Sequence, residues 1–160
     1  VWEPGLQLEP NHPQKQYDLA AIFENWDQRE KAIKHFGLAN QYDPSHYDWH
    51  FRYARLLDRH AQTVEDYNHH AYLAVEAYSA TIKLKRYALA YFYRGLIMRR
   101  YRQIADTLYL SSEVAADLKA VVEIEPKNAD AHYFLGLTYL DMDNRDSARQ
   151  YFVKTSLKYP

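Results

Sequence analysis

The 160-residue chain has no cysteine, which excludes both a disulfide framework and a thiolate metal site. Glycine and proline are scarce, at 4 and 6 residues, and most of the prolines stand at regular distances, a distribution that favours long helices. Neither sign of charge dominates. The formal net charge of −1 lacks the basic excess of general nucleic-acid or membrane binders. No apolar run is long; the longest, Tyr87 to Tyr93, is far too short to span a bilayer. No signal peptide is visible, but the chain starts at Val1 rather than Met, so cytoplasm and bacterial periplasm both stay open. There is no GxSxG, no HExxH, no glycine-rich phosphate loop and no cysteine nucleophile, so no catalytic or cofactor-binding residue is assigned.

What the chain does have is apolar and aromatic mass. Hydrophobic residues make up 48% and charged residues 26%, the balance of an ordinary folded domain of this length. Aromatics reach 16%, with 16 tyrosines. The segment from Asn128 to Pro160 shows how they are arranged. His132, Leu135, Gly136 and Tyr139 fall on one helical stripe, and Ala148, Phe152 and Thr155 on a second. Gly136 and Ala148 are small where two helices would cross closely. Asp143-Asn144 supplies a turn between them, and Pro160 ends the second helix.

The same design returns along the chain. Pro10 to Pro44 is 34 residues, and Pro126 to Pro160 is 34 again. Leu19, Ala20, Phe23, Ala32, Phe36 and Ala39 repeat the pattern in the first unit, with Gln16 where a large aromatic is usual. This spacing resembles the tetratricopeptide repeat (TPR), a pair of antiparallel helices of that period. The resemblance covers roughly Pro10 to Pro160 and implies an all-α, right-handed solenoid of about four helical hairpins. The expected repeats are 13–46, 47–87, 88–128 and 129–160, with 1–12 a lead-in that looks like the end of a preceding repeat. The chain is thus expected to be a slice of a longer protein, or to pack its last hairpin on a partner.

The two middle units are over length: Pro44 to Arg86 is 42 residues and Arg86 to Pro126 is 40. One extra helical turn on each arm adds about 7 residues. Leu57, Ala61, Val64, Tyr67 and Ala71 keep a helical pattern in one insert, and Ile97, Tyr101, Ile104 and Leu108 in the other. Both middle hairpins are therefore expected to have elongated helices.

In TPR proteins the first helices line a concave groove that binds partners. The resemblance places Tyr17, Phe51, Phe92 and Tyr133 there as a row of aromatics, with Leu96 and Leu137 beside them. The competing reading is that these aromatics pack within their repeats. Arg55, Arg59, Arg99 and Arg100 would make the middle of the groove basic, suited to an acidic or C-terminal peptide segment. Alternatively they form a solvated face paired with Asp58 and its neighbours. The carboxylate clamp of some TPR proteins is not expected, since Tyr17, Ala21, Phe51 and Arg55 occupy its places. His46 and His50 share a helix face, but no convergent third ligand is evident, so no metal site is assigned. The expected function is a protein–protein interaction scaffold or adaptor without catalysis, cofactor, nucleic acid or membrane insertion. The alternative is a structural module that self-associates as a homo-oligomer through its Tyr-rich faces.

Overall fold

A proline at the first helical position and a polar residue just before it set where the chain begins to coil: Pro13 opens α1 (Pro13–Asn25), and the His12 side chain accepts from the Lys15 amide. The computed structural model describes residues 12–64, 67–104 and 107–156. Pro10, Pro160 and the lead-in up to Asn11 lie outside the described residues. The chain divides into two compact units, Val1–Lys85 and Arg86–Pro160. Both are built from antiparallel helical hairpins, so the fold is all-α and TPR-like.

In the first unit α1 pairs with α2 (Arg29–Tyr42), and α3 (Tyr47–Ala61) with α4 (Tyr67–Leu84). The α1–α2 turn needs a left-handed residue, and Asp27 supplies it at φ 54°; Asp is among the few non-glycine residues that adopt this region readily. Leu19, Ala20, Phe23, Ala32, Phe36 and Leu56 form the core between α1, α2 and α3. Gln16 has a clear role in that core. It makes a buried 2.7 Å hydrogen bond with His35 Nδ1, and the His35 ring stacks on Phe23 at 5.3 Å. A polar pair thus occupies the space an aromatic would fill, at little net cost because the polar atoms meet each other. Before Pro44, Asp43 leaves the helix for an extended conformation, as the residue preceding proline must. Its carboxylate accepts from the Ser45 amide and hydroxyl at 3.0 and 2.6 Å.

The length surplus of the second hairpin is helical. α3 and α4 run 15 and 18 residues, against 13 and 14 for α1 and α2. The added turns pack on each other: His60 and Ala61 at the end of α3 are buried, and the His60 ring meets His70 of α4 edge-on at 4.5 Å.

The second unit contains α5 (Ala88–Arg100), α6 (Ser111–Ile124), α7 (Ala129–Asp141) and α8 (Arg145–Ser156). Here the expectation of longer helices is corrected. α5 and α6 have only 13 and 14 residues. The surplus forms an antiparallel ribbon between them, β1 (Gln103–Ile104) and β2 (Thr107–Leu108), with Ile104 opposite Thr107 and Gln103 opposite Leu108. The Tyr109 amide closes the ribbon by donating to the Arg102 carbonyl at 2.7 Å. Ile104 is fully buried while Leu108 is 63% exposed. Their spacing of four satisfies a helix, but register places Leu108 on the face of Gln103, away from the core.

Asp117 and Arg94 tie α6 to α5 through two parallel bonds of 2.8 and 2.7 Å. Burial pushes the Asp117 carboxyl above the ordinary carboxylate value, against the pull of Arg94. Ala88, Val121 and Ala131 form a small-residue contact between α5, α6 and α7, flanked by Tyr91, Phe92, Val122 and Ile124. In the last hairpin Asn128 caps α7 by accepting from the Ala131 amide at 3.0 Å. Asp143 repeats the left-handed turn of Asp27, again at φ 54°, and Asn144 accepts from the Ser147 amide.

Candidate partner-binding surface

The expected groove residues lie on α1, α3, α5 and α7. Tyr17 is half-buried. Its ring stacks on Trp49 at 4.8 Å, meets Phe36 edge-on at 5.3 Å, and its hydroxyl accepts from Arg52 at 3.2 Å. Phe51 is also half-buried, against Tyr78 on α4 at 6.1 Å. Both are held by packing across helices.

The arginines of the first unit face carboxylates. Glu24 on α1 accepts from Arg52 at 3.0 Å and from Arg59, so one carboxylate serves two residues of α3. Arg55 pairs with the buried Asp58 at 3.3 Å. In the second unit Arg99 and Arg102 both pair with Asp141, at 3.2 and 3.1 Å. Arg100 lies over the Tyr101 ring at 5.6 Å. Arg55, Arg59 and Arg99 are therefore already engaged by the chain's own carboxylates.

α5 and α7 run side by side in the second unit. The Phe92 ring meets Phe134 edge-on at 5.8 Å near one end, and Arg99 meets Asp141 near the other. Leu96 and Leu137 sit midway between these contacts, on matching turns, and both are partly exposed. Tyr133 and Leu140 continue the α7 stripe at 44% and 46% exposure. Leu96, Tyr133, Leu137 and Leu140 together give this unit an apolar surface. In the first unit the corresponding stretch between α1 and α3 carries Glu24 and its two arginines instead.

A second apolar feature was not foreseen from the sequence. Leu140, Ala148, Phe152 and Val153 line an open groove of about 450 Å³ on α7 and α8, with Arg145 and Arg149 at its rim. Phe152 is held by a tilted contact with Tyr133 at 6.0 Å. Trp26, at 60% exposure, was likewise not singled out. Its signal was available in hindsight: a tryptophan next to an Asp-containing turn has no later turn of α1 to shelter it.

The histidines serve the scaffold. His46 pairs with Asp43 at 3.2 Å and stacks on Trp49, and the His50 ring contacts the Pro44 carbonyl at 3.0 Å. Among the described residues no group of three or more His, Asp or Glu side chains is placed to hold a metal ion. Also among them, no helix is long and apolar enough to cross a membrane.

No protein-family description matches this chain, and no curated protein matches it. Solved structures do. A crystal structure of MamA superposes with a TM-score of 0.76 at 19% identity, covering 96% of this chain and 81% of that one. MamA from Desulfovibrio magneticus RS-1 gives 0.72 at 20% identity, covering 94% and 77%. A thermophilic TPR protein from Thermus thermophilus gives 0.64 at 18% identity, covering 97% and 78%. Two full-length hairpin turns at equivalent positions, small residues where the helices cross and these superpositions lead to one conclusion: the chain has the helical-repeat fold of TPR proteins.

Proposed function

We propose that this protein is an interaction scaffold that acts by holding a segment of another protein, with no catalysis of its own. The bound segment lies along α5 and α7 and contacts Leu96, Tyr133 and Leu137, with Leu140 at the margin. The observation that carries this reading is the partly exposed apolar surface on two first helices held side by side by Phe92–Phe134 and Arg99–Asp141. Exposed apolar surface of this kind is retained where a partner covers it. The segment is apolar in character. An acidic or C-terminal segment would have to take Arg55, Arg59 or Arg99 from Asp58, Glu24 or Asp141, and would gain little by that exchange.

The experiment is affinity capture with the purified chain, followed by titration of the captured and purified protein in a calorimeter. Leu96→Asp and Leu137→Asp should each weaken that binding about tenfold or more. Unchanged affinity in both folded variants would refute the assignment of this surface.

A further inference from the structure

We infer that the groove between α7 and α8 is the seat for Trp26 of a second copy of this chain. The inference goes beyond the α5–α7 surface and shares only Leu140 with it. The groove is apolar at its floor, formed by Leu140, Ala148, Phe152 and Val153, and basic at its rim, through Arg145 and Arg149. Its volume of about 450 Å³ accommodates one large side chain and part of its neighbourhood. Among the described residues no ion pair holds Arg149, and Arg145 has only a long 3.6 Å contact with Asp143, both side chains being almost fully exposed.

The first hairpin presents an exposed aromatic beside acidic side chains. Trp26 stands out at the α1–α2 turn, the most exposed aromatic among the described residues. Ile22, one turn back, is 38% exposed and extends the apolar stripe, and Asp18 continues it with a carboxylate. Asp27 follows Trp26 directly; one of its carboxylate oxygens accepts from Arg29 at 3.0 Å, and the side chain is 79% exposed, which leaves the other oxygen open to a second guanidinium. An indole entering the groove meets Leu140, Phe152 and Val153 with its rings. It also brings Asp27 to the arginine rim, where a guanidinium can cover the indole face. The donor is rigid before binding. The Trp26 amide donates to Ile22, that of Asp27 to Glu24 and that of Gln28 to Phe23, and the Phe23 ring lies edge-on to the indole at 6.1 Å. A rigid anchor loses little entropy on docking, and tryptophan is the residue type most enriched among interface anchors.

The contact joins two different surfaces, so it is heterologous, and each copy carries one donor and one acceptor. That property supplies the test. Trp26→Ala removes the donor and Val153→Asp spoils the acceptor; both sites are more than half exposed, and circular dichroism checks that the fold is kept. Sedimentation velocity over a concentration series should show the unmodified chain associating and each variant associating about tenfold more weakly or worse. Mixing the two variants should restore a one-to-one dimer and nothing larger, because one intact donor then meets one intact acceptor. An unmodified chain that is monomeric at about 100 µM would overturn the inference. So would self-association that both variants leave intact, or a mixture that stays monomeric; in either case the groove belongs to another segment or another protein.

Discussion

The Phe152 ring lies across Gly136 so closely that a Cβ at that glycine would fall 2.5 Å from ring carbon Cε1. Among the described glycines this is the tightest contact, and it fixes how α8 crosses α7. Gly136→Ala gains about 1 kcal/mol of helix propensity but forces the ring to move at a cost of about 1–3 kcal/mol. The expected net result is a loss of stability in urea titration. Phe152→Leu in the same chain should recover part of it, because the smaller side chain leaves the added methyl its place.

The Arg94–Asp117 pair should behave as a buried pair does. Arg94→Ala strands a carboxylate that is only 5% exposed, and the loss should be about 3 kcal/mol. Replacing both, by Arg94→Met with Asp117→Leu, should cost far less than the single change. Equal losses for the single and double variants would mean that the pair contributes by packing alone.

At the end of α2, hydrogen bonds from the Ser45 hydroxyl and amide, with His46 nearby, hold the Asp43 carboxyl below its ordinary value. A carboxylate with a depressed pKa in the folded state stabilises it above the unfolded value. That contribution is lost as pH falls through the folded one. Carboxyl-carbon NMR should therefore show Asp43 titrating at a lower pH than an ordinary aspartate. Ser45→Ala should move its midpoint upward, and no movement would show that the backbone bond and His46 suffice.

Phe92 and Leu137 should separate packing from binding. Phe92 flanks the Ala88–Val121–Ala131 contact, so Phe92→Ala should lower stability by about 2–3 kcal/mol. Leu137→Asp, at a partly exposed position of α7, should cost less, about 1 kcal/mol, and show its larger effect in partner binding. Denaturant titration beside the binding measurement distinguishes the two.

Much of the helical framework could be read from residue spacing, since the first and last hairpins keep the period and their turns fall at Asp27 and Asp143. The β ribbon could not. Surplus length counts residues but does not say what they do, and a spacing of four, from Ile104 to Leu108, suits helix and strand alike. The aromatic row was legible as helix positions and illegible as environment. Tyr17 is enclosed because Trp49 and Arg52 come from another hairpin, and such neighbours are invisible along one helix. The arginines were hidden for the same reason. Glu24 lies 28 and 35 residues from the two it binds.

That shared carboxylate has a mechanical consequence. Apolar helix faces can slide past one another by a fraction of a turn with small loss, because greasy contacts re-form nearby. A single anion gripped by two guanidiniums on successive stretches of the opposing rod permits no such drift: movement in either direction breaks one grip before it can improve the other. Glu24 thus works as a locating pin between the first and second hairpins, setting the axial alignment that hydrophobic packing leaves loose.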